Sequence, residues 1–411
     1  MAAITLTDYD KMLKILYPDG EVENAALVDC VFARRVKKIA DFYGKELDWP
    51  LPYANGAGRS ATFATALANT SSPKYAGWVL KRKRDYVIWE IDNETLHASE
   101  KDRGAFVTAQ KNITDMHLAE IGKSFSVGLY GVGGGSLGTI AAAGITGSTA
   151  TLTYQHDVRN FYEGQKVDVS AASDSTAAAR AGSPLTVLSV NYSAGTVTFS
   201  TGIVASVCGA IPGDCFIQQG DEAAKISGLA GWIPLTAPTA TLFNGVDRTK
   251  NIESLAGWRV NNAAGDIGDN LITLGQLVAN GSPGANQIVL TNPINFGSLV
   301  KAISSKNMYP KMGTTAKEGR YLIGGTGVVV ALSSGLADVV VDPDCPGGVI
   351  YLLDEDTWEF HSLLEVPHLS TEDGRDFMRG GSSDSIQVRA RYWGDLLCKN
   401  PRKNGVMSTQ A

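Results

Sequence analysis

The run Tyr75-Ala76-Gly77-Trp78-Val79-Leu80-Lys81-Arg82-Lys83-Arg84-Asp85-Tyr86-Val87-Ile88-Trp89-Glu90-Ile91 reads as one long strand with four successive cations in its middle. Side chains alternate across a strand, so Lys81 and Lys83 go to one face and Arg82 and Arg84 to the other. Neither face is apolar at that point. Val87, Trp89 and Ile91 then share a face. The pattern predicts an arm that projects from its own domain near the cations and roots in a packed sheet further along.

Working outward, a helix is expected directly after this strand. Ser99-Glu100-Lys101-Asp102 resembles a capping box, with Asp102 suited to the positive helix end. Phe106, Ala109, Ile113 and Met116 form one stripe, Leu118, Ile121, Phe125 and Leu129 a neighbouring one, and Gly131 is the expected stop. The shift of stripe near Gly122 leaves a bend, or two shorter helices, open. A continuous rod would be on the order of 45 Å long.

Before the strand, Leu47–Tyr53 carries Pro50 and Pro52, which restrict it to a sheet edge and fit the outgoing limb of an exposed hairpin. Asn55-Gly56-Ala57-Gly58 is flexible, Ser60–Ala68 is a short Ala-rich helix, and Asn69–Pro73 is a turn. Further back, Thr7 and Asp10 cap a helix ended by Pro18-Asp19-Gly20. A second helix is expected over Val22–Tyr43, with Arg34, Arg35, Lys37 and Lys38 on a solvated side.

After the long helix, Gly131-Val132-Gly133-Gly134-Gly135-Ser136-Leu137-Gly138 reads as a hinge. Charges then thin out and short strands recur over 145–222: Ala150–Tyr154, Lys166–Ser170, Leu185–Tyr192, Thr196–Ser200 and Cys215–Gln219. They describe a small inserted β-domain, with barrel and sandwich both open. A helix is expected over Ile267–Ala279, a buried strand over Gln287–Leu290, and a helix from Asn292-Pro293 to about Ser305. Strands follow at Arg320–Ile323, Val328–Ala331, Ala337–Val341 and Val349–Leu353, the last turning at Asp354-Glu355-Asp356 toward Trp358–His361. Ile386, Val388, Ala390 and Tyr392 alternate with Gln387, Arg389 and Arg391 in a half-buried closing strand, and Asp395–Pro401 leads into a polar tail.

At 411 residues the chain exceeds the roughly 250–300 at which single cores stop growing, so several domains are expected. A net charge of −6 argues against a protein whose main surface grips nucleic acid. The five cysteines, Cys30, Cys208, Cys215, Cys345 and Cys398, have no CxxC spacing and read as reduced, buried thiols. Met1-Ala2-Ala3-Ile4-Thr5 begins no signal peptide and no run stays apolar for about 18 residues, which reads as a soluble protein made in the cytoplasm. The 45 glycines point to an α+β chain rich in turns.

The search for chemistry finds little. Gly134-Gly135-Ser136-Leu137-Gly138 matches a GxSxG nucleophile elbow, and Asp342 and His361 follow in hydrolase order, but the motif works only where a strand feeds a sharp turn into a helix. Here a helix precedes it. The histidines are too scattered to ligate a metal, and Asp342-x-Asp344 and Asp354-Glu355-Asp356 read as solvated acidic turns. No catalytic, metal or cofactor site is expected. Lys81, Arg82, Lys83 and Arg84 are the concentrated charge, read as a docking surface for acidic groups of another subunit or a phosphate backbone, and as protection of an edge strand.

With these parts in order, the chain resembles the major capsid proteins of tailed bacteriophages, of the Hong-Kong-97-type fold shared with the herpesvirus capsid floor. The resemblance rests on the helical arm, the extended hairpin with Gly58-Arg59-Ser60-Ala61-Thr62-Phe63 in its distal part, the long helix, Asn292-Pro293 after a short strand, the Gly-rich segment of about 310–380 and the closing strand.

The resemblance implies an N-terminal arm (1–45), extended hairpin (46–97), spine helix and hinge (98–144), inserted β-domain (145–222), peripheral domain (223–309), axial domain (310–384), and closing strand with tail (385–411). It implies a structural, non-enzymatic protein of the virion, assembled in the host bacterial cytoplasm. Its partners would be other copies of itself, in hexamers and pentamers of an icosahedral shell that encloses double-stranded DNA without binding it strongly. A separate scaffolding protein, a portal and a decoration protein are further implied partners, and no membrane is. Arg59, Lys74, Lys81, Arg82, Lys83 and Arg84 are the expected inter-subunit contacts. Some members cross-link a Lys to an Asn between subunits; no motif here matches, and that chemistry is not carried over to Lys74. The alternatives are a serine hydrolase using Ser136 and a non-viral shell or compartment protein.

Overall fold

Arg103–Tyr130 is a single uninterrupted helix of 28 residues, about 42 Å long at ~1.5 Å per residue. It belongs to a computed structural model that describes residues 30–92, 103–170, 179–180, 182–204, 207–281, 286–306, 328–369, 378–379 and 385–409. The helix expected near Thr7, the Ser99 cap and the strand Arg320–Ile323 lie outside the described residues. Leu118, Ile121, Phe125 and Leu129 are fully buried, and the helix passes Gly122 without a break. Phe125 packs edge-on against Phe360 at 4.9 Å and Tyr392 at 5.2 Å. The other expected stripe does not reach the core at Met116, which is 70% exposed.

The sheet beneath this helix is built on the closing strand Ser385–Cys398. Trp358–Ser362, His368–Leu369, Met378–Arg379 and Lys83–Asp92 all pair with it antiparallel, and Lys37–Ile39 adds to Trp358–Ser362 in parallel. Val388, Ala390 and Tyr392 are buried beneath the helix, as the alternation of the sequence required.

A second six-stranded sheet runs in the order Trp258–Val260, Gly405–Ser408, Val349–Asp354, Gln287–Thr291, Gly335–Val341, Val328–Leu332. Two helices bury an apolar face against it. Ile267–Asn280 starts where the Asp266 carboxylate accepts from the Gly268 and Asp269 N–H groups, and Pro293–Lys306 starts where Asn292 Oδ1 accepts from the Asn295 N–H at 2.7 Å. Leu271, Leu274, Val278, Leu299, Val289, Ile350, Leu352 and Met407 form the shared core.

The third unit is a closed barrel. Its strands, in spatial order, are Cys215–Gln218, Ser136–Thr146, Thr149–Leu152, Thr196–Phe199, Leu185–Asn191 and Lys166–Ser170. Gly195, at φ +70°, makes the tight connection between two of them, a conformation that costs glycine nothing. Inside, among Val167, Val169 and Val187, Phe161 meets Phe216 edge-on and Phe199 lies tilted against Phe216. All five cysteines are buried free thiols.

Five expectations are corrected, the first being the solvated acidic turns: Asp342, Asp344 and Asp354 are all buried. The helix expected over Val22–Tyr43 is helical only at Val31–Arg35 among the described residues, because Lys37–Ile39 finds a parallel strand partner more than 300 residues away. Its basic side is partly paired, Arg35 with Glu355 at 2.7 Å and Lys37 with Glu359 at 3.1 Å. The charged strand is two strands, Lys74–Lys81 and Lys83–Asp92, which change partner at Arg82, and the first of them buries Ala76, Trp78 and Leu80 in the main core. The Gly run is no free hinge beyond Gly135, since Ser136 already starts the barrel. The polar tail is a core strand: the closing strand continues to Cys398, and Gly405–Ser408 is buried between Trp258–Val260 and Val349–Asp354 in the second sheet.

Candidate functional site

The hairpin pairs Glu46–Ala54 with Lys74–Lys81 and, among the described residues, with no third strand. Its base is anchored. Trp78 packs at 4.8 Å on Trp232 and 6.1 Å from Phe243, and the Trp232 indole N–H donates to the Leu396 carbonyl. Its distal part is tightly folded and exposed. A side chain at Gly56 or Gly58 would meet the Ser71 or Ala66 carbonyl at 2.0 Å, so glycine is required at both. Between these closures lies the helix Phe63–Ala68, in which no residue is buried.

Six residues are well below the ~12–15 at which an isolated helix becomes marginal in water. Yet Phe63 is 84% exposed, Leu67 61% and Tyr75 61%, a concentration of large apolar side chains that solvent does not favour. Arg59 and Lys74 flank this apolar tip and are themselves exposed. The residue types alone place Phe63 and Leu67 in an Ala-rich helix; their exposure depends on what the hairpin does not touch, which sequence does not record.

The four central cations divide. Lys81 is exposed and lies 3.6 Å from Glu46. Arg82 donates to the Phe42 carbonyl at 3.1 Å with its guanidinium over the Phe42 ring, and Lys83 donates to the Ala223 carbonyl at 3.0 Å. Arg84 is exposed on the outer face of the first sheet. Arg82 and Lys83 therefore tie the hairpin to its own subunit, while Lys81, Arg84, Arg59 and Lys74 face outward.

Where the barrel meets the body, the ground is the loop after Gly335–Val341. Asp342 is fully buried; its Oδ2 accepts from the Phe32 N–H and the Tyr130 hydroxyl, each at 2.8 Å, and its Oδ1 from the Asp344 N–H. From the barrel side, His156 meets the Pro343 carbonyl at 2.7 Å, Asp157 accepts from the Gly347 N–H at 3.0 Å, and Arg159 lies 3.4 Å from Asp344. Burial pushes the Asp157 carboxyl up to about 6, against the Gly347 N–H that favours its charged form. Tyr154 covers Gly347 and Gly348 so closely that a methyl group on either would overlap its side chain at 2.3 and 2.2 Å.

Ser136 lines a cleft of about 420 Å³ between the long helix, Lys83–Asp92 and the barrel. Lys225 sits there in an ion-pair network, 2.6 Å from Asp85 and 3.0 Å from Asp221, with Ser124 bonded to both Asp85 and Lys225. Burial pulls the Lys225 ammonium down, and the two carboxylates more than offset it. The hydrolase reading finds no support in this geometry. Ser136 opens a barrel strand rather than a strand-to-helix turn, Asp342 is bonded to Tyr130 and two backbone N–H groups, and His361 pairs with Asp41 at 2.7 Å. Among the described residues no group of His, Cys, Asp and Glu is arranged to hold a metal ion, and no helix is long and apolar enough to cross a membrane.

Neither a protein-family model nor a curated relative matches the sequence. Solved structures do. A chain of the cyanophage A-1(L) capsid asymmetric unit is similar over 94% of this chain and 92% of its own, at 13% identity and a TM-score of 0.52. Lower scores, 0.43 in both cases, relate the chain to Mycobacterium phage Bobi at 10% identity over 100% of both chains, and to the SrpI encapsulin of Synechococcus elongatus PCC 7942 at 8% identity over 93% of this chain and 88% of that one. By the cyanophage similarity, over 94% of its length, the chain has the fold of a phage capsid protein.

Proposed function

We propose that this chain is a structural shell protein, the major capsid subunit of a tailed phage with a Hong-Kong-97-type fold. Copies of it associate as hexamers and pentamers of an icosahedral shell that encloses double-stranded DNA, assembled in the host cytoplasm with a scaffolding protein, a portal and a decoration protein as further partners. The observation that carries this reading is the hairpin: an arm rooted by Trp78 that ends in a helix with no buried residue and in exposed Phe63, Leu67 and Tyr75. Such a tip is stable when a neighbour covers it, and a closed shell supplies that neighbour to every subunit. Arg59 and Lys74, beside the apolar tip, are the cations that would dock on that neighbour, Lys81 and Arg84 lie at the base of the arm, and Arg82 and Lys83 brace it. On this reading the barrel is a module added to the shell subunit, and the 310–384 segment belongs to an axial domain.

Negative-stain microscopy of the purified protein is the test. Rings or closed shells are expected, and Phe63→Ser combined with Leu67→Ser should abolish them while leaving the unfolding midpoint of the monomer unchanged. A protein that stays monomeric under all assembly conditions would sink the proposal.

A further inference from the structure

The first sheet has two faces of opposite character. Val87, Trp89, Val388, Ala390 and Tyr392 point to the long helix, and the intervening residues point away from it. On that outer face the register sets Arg84 beside Trp393, Tyr86 beside Arg391, and Ile88 beside Arg389. Tyr86 is 49% exposed, its hydroxyl accepts from the Trp393 indole N–H at 3.0 Å, and the Arg391 guanidinium lies 4.3 Å over the Trp393 ring. A groove continues this face toward the hairpin base, lined by Lys45, Lys81, Arg82 and Arg84 with Glu46 as its single carboxylate. Among the described residues, face and groove together carry Lys45, Lys81, Arg82, Arg84, Arg389 and Arg391 against Glu46 and Glu90, on a chain whose net charge is −6.

We propose that this outer face binds nucleic acid, its arginines and lysines holding the phosphate backbone and Tyr86 and Trp393 offering aromatic surface to the bases. A cationic island on an acidic chain selects a polyanion. Aromatic rings set among arginines on a flat sheet add the stacking that an acidic protein segment would not use. The inference goes beyond the shell reading and is tested on the unassembled full chain, so failure to form shells leaves it standing or falling on its own.

Anisotropy of a labelled DNA oligonucleotide, single-stranded in one series and duplex in the other, is titrated across salt concentrations. The wild type should bind at low salt and weaken steeply as salt rises. Arg84→Gln with Arg389→Gln should lower the affinity at least about tenfold and flatten the log–log salt slope for duplex by about two, since each phosphate contact contributes about 0.9. Arg84→Lys with Arg389→Lys should keep the slope, and Trp393→Leu should weaken the single-stranded series more than the duplex. Absence of salt-dependent binding by the wild type overturns the proposal, as does an unchanged slope in the glutamine variant. A glutamine variant that binds DNA normally but assembles poorly would assign the face to subunit contact instead.

Discussion

The Tyr130 hydroxyl donates to Asp342 Oδ2 at 2.8 Å across 212 residues of chain, joining the end of the long helix to the loop on which the barrel rests. The same oxygen takes the Phe32 N–H, so one buried carboxylate connects the N-terminal helix, the long helix and the second sheet. Asp342→Ala would strand three donors in the interior, and about 3–5 kcal/mol of stability should be lost. Tyr130→Phe removes one bond and should cost about 1–2 kcal/mol. Urea midpoints of the two variants check the ordering.

Asp395 gives a pH dependence of defined sign. Its Oδ1 accepts from the Ser227 and Leu396 N–H groups, but complete burial still pushes its carboxyl up to about 7 from the ordinary 3.8. The folded chain therefore holds this proton more tightly than the unfolded chain, and stability falls as pH rises from about 4 to about 7. Asp395→Asn keeps an acceptor for both N–H groups and carries no charge. It should be the more stable form at pH 8 by a few kcal/mol and lose that advantage near pH 4. Thermal midpoints of both proteins across this range read the difference.

Tyr154 and the Gly347-Gly348 pair should behave as one unit. Gly347→Ala places a methyl group within 2.3 Å of the Tyr154 side chain, so the barrel must shift off its loop. Limited proteolysis should then cut the segments joining the barrel to the body faster than in the wild type. Adding Tyr154→Gly to Gly347→Ala should restore most of the protection, because the nearest atom the new methyl group meets is the Tyr154 Cβ, and glycine removes it. Equal cleavage of the single and double variants would argue against this contact as the docking point.

The four cations Lys81–Arg84 should not respond alike to charge reversal. Arg82→Glu removes the bond to the Phe42 carbonyl and the contact with its ring, and about 1–2 kcal/mol should go with them. Lys81→Glu and Arg84→Glu change exposed side chains and should stay within about 0.5 kcal/mol of the wild type. Reversal of all four at once would therefore confound folding with assembly, and the single variants separate them.

Much of this architecture is written in local pattern. The alternation of Ile386, Val388, Ala390 and Tyr392, the Asn292-Pro293 helix start and the apolar spacing of Leu118, Ile121, Phe125 and Leu129 each depend on neighbours in sequence, and each forms the expected element. What sequence concealed depends on distant partners. Lys37–Ile39 carries the spacing of a helix and becomes a strand because Glu359–His361 lies beside it. Gly405–Ser408, four residues between polar segments, is a core strand only because Trp258–Val260 and Val349–Leu352 flank it. The change of partner at Arg82 leaves no local mark, since four cations in a row read the same in one strand or two. The exposed tip is half legible: the hairpin and its short helix follow from Pro, Gly and Ala, whereas the 84% exposure of Phe63 depends on how distant parts of the chain are placed.

Ser136 and Ile217 are cross-strand partners in the barrel, so the chain goes into that unit and comes out of it at adjacent positions. A segment threaded in this way is topologically a loop, however large it grows. A segment of another length, or of another fold, could be spliced in at these two neighbouring points without re-routing the helix before it or the Trp232 anchor after it. The fixed requirement on any replacement would be the small footprint that Tyr154, His156, Asp157 and Arg159 now fill on the loop from Asp342 to Gly348.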